Sequence, residues 1–161
     1  MATMRGGEPV LPGLARRALH LYWRFARGLT LGVRAAVLDE AGRVFLIRHT
    51  YVRGWHLPGG GVETGETALA ALRRELSEEA SLELLAEPRL HGVYFNAHVS
   101  RRDHVLLYLV REFRIARAKT PDREIAEAGF FSLDALPDGT TAATRRRLDE
   151  IASGRAPAPT W

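Results

Sequence analysis

Glu75, Glu78 and Glu79 lie within five residues of one another, in the stretch GGGVETGETALAALRRELSEEASLEL that spans residues 59–84. With about 3.6 residues per turn, a helix through this stretch gathers the three carboxylates into one sector, away from the stripe of Leu69, Leu72, Leu76 and Ala80. Like charges at these spacings cost an exposed helix a few tenths of a kcal/mol. In a cleft the cost grows, since two unit charges about 4 Å apart repel by about 4 kcal/mol at an effective dielectric of about 20. A divalent cation reverses that sign. Carboxylate oxygens suit Mg²⁺, with Mn²⁺ as a substitute, and Mg²⁺ shares its shell with waters and substrate phosphates. The plainer alternative is a solvated acidic face, which is the commoner meaning of three glutamates on a helix.

The neighbouring residues favour the cation. Gly59, Gly60 and Gly61 form a backbone nearly free of side chains that can approach a ligand. Arg74 stands next to Glu75 and four residues before Glu78, where it can orient the carboxylates or touch a phosphate. With no cysteine in the chain, disulfides and thiolate metal sites are excluded.

The elements that position this helix follow from periodicity. LGVRAAVLDEAGRVFLIRHT reads as two strands around a turn at Asp39–Gly42, followed by a Gly/Pro-punctuated loop over residues 50–62 and a helix over residues 66–80. RLHGVYFNAHV and DHVLLYLVREFRI read as a long hairpin, AGFFSL as a short strand, and TAATRRRLDEIAS as a terminal helix. A further helix is expected over residues 13–28, basic and amphipathic. Packing of its Leu21, Trp23 and Phe25 on the sheet or on a partner subunit is favoured over contact with a membrane surface. Residues 1–12 and 155–161 read as flexible ends around one domain at 13–154, built as an α/β or α+β sandwich.

The chain of 161 residues is 46% hydrophobic and 26% charged, with a net charge of +4, which is globular composition compatible with a polyphosphate or nucleic-acid ligand without requiring one. No apolar run reaches the roughly 18–20 residues of a membrane span, and no signal peptide is read, so a soluble cytoplasmic protein is expected.

At this point the residues match a known pattern. Gly60, Glu66 after five residues, then Arg74, Glu75 and Leu76 after seven more, with Glu78, Glu79 and Leu82, resemble the Nudix box, G-x5-E-x7-R-E-U-x-E-E-x-G-U, where U is a bulky aliphatic residue. WHLPGG leading into it and EIAEAGFFSLDALP near the end also resemble that family. The resemblance implies a Nudix-type α/β/α sandwich with a mixed, hairpin-rich central sheet. It also implies metal-dependent hydrolysis of a diphosphate bond in a nucleoside diphosphate derivative, by attack of water on phosphorus. Carried over by position, Glu75, Glu78, Glu79 and the Gly59 carbonyl are metal ligands, Arg74 orients them, and Glu66 supports the loop. Glu124 is the candidate general base on a late loop, with Glu127 as the alternative. Trp55, Arg48, Arg53 and Gly60 are candidate substrate contacts. Packing is slightly favoured for Trp55, and Arg34 and Arg101 are further candidates for phosphate. His49, His56, His98 and His104 have no metal-ligand spacing.

Ser81 departs from the pattern by standing where the family has glycine. A left-handed residue is expected there, at a cost on the order of 1 kcal/mol. The alternative function is a Nudix-fold domain that senses a nucleotide without turnover. A homodimer is compatible with the resemblance, and the substrate within the nucleotide class stays open.

Overall fold

The structure is a computed structural model that describes Tyr22 and residues 28–161. The expected tail at 1–12 and most of the expected helix at 13–28 lie outside the described residues. Strand β1 (Thr30–Val37) runs parallel to β6 (Asp103–Val110), which pairs antiparallel with β5 (Arg89–Phe95). A second sheet orders β3 (Trp55–His56), β2 (Val44–His49) and β8 (Ile125–Phe131), all antiparallel. A short ribbon pairs β4 (Leu82–Leu84) with β7 (Phe113–Ile115).

Among the described residues two α-helices cover the sheets. Helix α1 (Ala68–Glu75) is capped by the Thr67 hydroxyl, which accepts the Ala70 N–H at 3.1 Å. Helix α2 (Ala142–Ser153) is capped in the same way by Thr141. Side chains alternate along β1 and β2. Val33, Ala35, Val37, Phe45 and Ile47 join Leu72 of α1 and Leu76 just after it in one core, while Ala36, Leu38, Val44 and Leu46 join Leu148 of α2 in the other. Both strands are therefore buried on both faces, which makes the α/β/α sandwich. Leu72 and Leu76 are fully buried, and truncating either to Ala costs about 2–5 kcal/mol and undocks the helix that carries the glutamates.

The two strands expected around the Asp39–Gly42 turn are present, and one other expectation changes. The two strands enter different sheets, joined at the turn by the bridge Leu38–Val44 and by the Asp39 N–H donating to the Arg43 carbonyl at 3.0 Å. Each needs covered edges of its own, and β1 finds one in the glycine loop. Val33 N–H donates to the Gly60 carbonyl at 2.8 Å, Ala35 N–H to the Pro58 carbonyl at 2.9 Å, and Val62 N–H to the Leu31 carbonyl at 2.8 Å. Residues 155–161, expected to be loose, lie along β5: Phe95 N–H donates to the Pro159 carbonyl at 2.9 Å and Trp161 N–H to the Phe95 carbonyl at 3.1 Å. Among the described residues no helix is long and apolar enough to cross a membrane.

Candidate active site

The glutamate helix changes form at the site. After Glu75 the α-helix widens into a π-helical turn, Leu76–Ala80, closed by Ser81 N–H on the Leu76 carbonyl. Single π-turns often mark functional sites, because the added residue re-aims the side chains around it. Ser81 leaves the turn at φ 54°, ψ 37°, the left-handed conformation expected of it, and it is the one non-glycine residue with positive φ among the described residues.

Arg74 organises the loop and the first carboxylates. Its Nε and Nη2 each donate at 3.1 Å to one oxygen of Glu66, making a two-point fork. Nη1 donates to Glu75 Oε1 at 2.6 Å and lies 3.5 Å from Glu78 Oε2, and Nη2 also donates to the Gly61 carbonyl at 3.1 Å. The fork holds Glu66 below the usual carboxylate range and pushes the Arg74 guanidinium up, so both stay charged. A lysine cannot make these planar contacts together. Glu75 lies against Gly60, where a β-carbon would fall inside its carboxylate. Gly59 has φ +138°, and a β-carbon there would strike the Val33 carbonyl. The two glycines thus admit β1 and Glu75. Gly60 also lines a cleft described below.

Glu79 is buried, unlike Glu78, whose side chain is 61% exposed. Its Oε2 accepts the Gly59 N–H at 2.7 Å, so Gly59 meets this carboxylate through its N–H. His49 Nε2 lies 3.6 Å from Glu79 Oε1, just beyond hydrogen-bonding reach. Burial raises the Glu79 pKa from 4.5 to about 7, against the opposing pull of the Gly59 N–H and Arg34. Burial, then the Arg34 charge, lowers the His49 pKa, which favours the neutral imidazole beside Glu79. Arg34 donates through Nη1 to the Leu57 carbonyl at 2.9 Å, and burial lowers its pKa against the fields of Glu79 and Glu75.

Glu78, Glu79 and Glu124 line one cleft of about 490 Å³ with Asp122. The loop carrying Glu124 is pinned by Lys119, whose Nζ donates to the Glu78 carbonyl at 2.6 Å and to Asp122 Oδ2 at 2.5 Å. Asp122 Oδ1 in turn accepts the N–H groups of Glu124 at 2.9 Å and Ile125 at 2.8 Å. The Lys119 ammonium, ahead of the two backbone donors, holds the Asp122 pKa far below its ordinary value. Sequence reasoning missed Lys119, Asp122 and the His49–Glu79 approach. Its one available signal was that Lys119 is the single lysine in an arginine-rich chain.

The other candidates separate. Trp55 is buried edge-on against Phe131 at 4.8 Å, so it packs, and its reading as a substrate contact is corrected. Arg48 is an exposed partner of Glu127 and lies 5.9 Å from the Trp55 ring, so it and the alternative base are engaged with each other. Arg53 is exposed, and its carbonyl meets His56 Nε2 at 3.0 Å. Among the described residues no three His, Cys, Asp or Glu side chains converge closely enough to enclose a metal. The donor chemistry nevertheless fits a hard divalent cation, because Glu75, Glu78 and Glu79 supply oxygen atoms only, on consecutive turns beside an open cleft.

Comparison with known proteins agrees with this architecture. The model of the NUDIX domain matches residues 28–150. The chain is 41% identical over 58 residues to an RNA pyrophosphohydrolase of Methylococcus capsulatus, covering 36% of this chain and 30% of that protein. It is 26% identical over 125 residues to a putative 8-oxo-dGTP diphosphatase of Bacillus subtilis, covering 78% and 81%. The matches thus span only about a third of the length of the first of these relatives. Among solved structures, the MutT NUDIX hydrolase of Burkholderia pseudomallei aligns with a TM-score of 0.62 at 29% identity, covering 76% of this chain and 97% of that one. The MutT protein of Methanosarcina mazei shares the fold with a TM-score of 0.65 at 21% identity. With the box residues gathered around Arg74 and the family model spanning most of its length, the chain belongs to the Nudix family.

Proposed function

We propose that this protein hydrolyses a diphosphate bond in a nucleoside diphosphate derivative, with Mg²⁺ or Mn²⁺ held by Glu75, Glu78 and Glu79. The observation that carries the reading is the Arg74 fork, which ties Glu66, Glu75 and the Gly61 carbonyl into one rigid unit beside Glu78. When bound, the cation neutralises phosphate oxygens as charge shifts in the transition state. The protein residues supply positioning and proton handling. Arg74 aims the carboxylates, and the Gly59 N–H orients Glu79. Glu124, held over the same cleft by Lys119 and Asp122, accepts the proton of the attacking water. Names of relatives such as RNA pyrophosphohydrolase and 8-oxo-dGTP diphosphatase support the reaction class and leave the substrate to be chosen within it.

The test is release of nucleoside monophosphate or phosphate from a panel of nucleoside diphosphate derivatives with Mg²⁺ or Mn²⁺, for wild type, Glu79→Gln and Glu124→Gln. Turnover lost in Glu79→Gln supports the reading. A Glu124→Gln variant of wild-type rate moves the base elsewhere. A wild type that binds nucleotides and turns over none of them is a sensor instead.

A further inference from the structure

A second cleft, of about 790 Å³, adjoins the site and is lined by Thr30, Arg34, Gly60, Asn96, Asp103 and Trp161, among others. It meets the glutamate cluster at two of its lining residues. The Glu75 carboxylate lies against the Gly60 α-carbon, and Arg34 lies in the fields of Glu79, Glu75 and Asp103. A substrate with phosphates at the glutamates and its other end in this cleft would reach towards Asp103.

That end is built. Asp103 Oδ1 accepts the Thr30 hydroxyl at 2.7 Å and Oδ2 accepts the Asn96 amide at 2.8 Å. A carboxylate offers about four acceptor positions, so about two stay open for a ligand. Asn96 is buried, and its N–H donates to the Asp103 carbonyl at 2.9 Å, which fixes the pair.

Trp161 reaches the same cleft from a distant part of the chain. The segment before it passes over Gly92, where a β-carbon would come within 2.7 Å of Pro157. Arg147, 1% exposed, donates to the Thr160 carbonyl at 2.7 Å and to Glu150 at 2.6 Å. Its guanidinium lies 4.4 Å over the Tyr94 ring, and the Trp161 ring meets Tyr94 edge-on at 5.4 Å. A Pro- and Ala-rich segment has little apolar area to bury, so this buried ionic anchor and the backbone hydrogen bonds to Phe95 hold the ring in place.

We propose that residues 155–161 form a strap that completes the substrate cleft. Trp161 supplies a flat apolar wall, and Asp103, braced by Thr30 and Asn96, supplies an acceptor pair for a nucleobase with two adjacent N–H donors on one edge, as guanine has. This rests on the nucleotide hydrolase reading and adds to it the residues that choose the base. Arg147 is a positioning residue that acts through Trp161.

The full-length chain tests it by calorimetric titration with GMP, AMP and UMP and by steady-state kinetics on the matching diphosphate derivatives. Trp161→Ala should raise KM about tenfold or more with kcat within about twofold, and Trp161→Phe should recover most of the loss. Asp103→Asn should erode the preference for GMP over AMP. If wild type turns over these substrates while Trp161→Ala leaves KM and GMP affinity unchanged, the strap is structural and the inference fails while the hydrolase reading stands. Should wild type bind GMP with the same dependence on Trp161 and Asp103 yet hydrolyse nothing, the cleft stands and the hydrolase reading fails. Equal wild-type affinity for GMP and AMP overturns the assignment of Asp103. Because the Trp161 ring packs on Tyr94, the Phe variant separates lost stacking from lost folding.

Discussion

Replacing Glu79 by Gln should remove a pH-dependent penalty from the metal-free protein. The Glu79 side chain is 8% exposed, and its pKa is raised from 4.5 to about 7, chiefly by burial. The native state therefore keeps a proton that the unfolded chain gives up at lower pH. The associated stability is fully present below about pH 4.5 and is lost as pH rises through about 7. At about 1.4 kcal/mol for each tenfold change in proton affinity, the full loss is about 3 kcal/mol. His49, His56 and His91 have pKa values lowered by burial and act with the opposite sign, losing stability as pH falls below the ordinary imidazole range. They are common to both proteins and largely cancel in the difference. The assay is urea unfolding in a chelator at about pH 5 and about pH 8. Relative to wild type, Glu79→Gln should gain about 2.5 kcal/mol between the two conditions. A difference that stays flat across this window would refute the assignment of a buried, proton-holding Glu79.

Further outcomes follow from the same geometry. Mg²⁺ should raise the melting temperature of wild type more at pH 8 than at pH 6, and the Glu79→Gln variant should respond weakly at both; thermal shift measurements check this. Ser81→Gly should be stabilising by about 1 kcal/mol, because glycine relieves the left-handed backbone, and a lowered melting temperature would show that the Ser81 side chain is needed instead. Arg74→Lys keeps the charge and loses the fork, so kcat should fall on the order of a hundredfold from misplaced carboxylates. Lys119→Met should lower kcat with little change in KM by releasing the loop of Glu124; unchanged kinetics would remove that loop from the reaction.

Legibility differed between parts of the molecule for physical reasons. The glutamate helix was readable because its chemistry and its packing are both local. Leu72 and Leu76 repeat at helical spacing, Thr67 caps the start, and the carboxylates fall between them. The turn after Glu75 was less so, since a π-turn and an α-turn share the same apolar pattern. Trp55 was ambiguous because an aromatic beside a glycine loop either stacks or packs, and only Phe131 across β2 and β8 settles it as packing. The terminal strap was misread because its composition, Pro and Ala, carries no apolar pattern. What holds it are Arg147, Glu150 and Tyr94 with the backbone of Phe95, which come from two other elements.

By itself the sequence determined the family, the helix that bears the carboxylates, the hairpin of β5 and β6, and the left-handed Ser81, because each depends on residue types at short, fixed separations. Tertiary structure alone decided what meets those residues: Gly59 and His49 at Glu79, Lys119 beneath the loop of Glu124, and Trp161 in the same cleft as Asp103. The hydrogen bonds among them span from 20 residues in the case of Gly59 and Glu79 to 41 in the case of Lys119 and Glu78. Over such separations the burial that raises the Glu79 pKa depends on how the sheets and helices close around it.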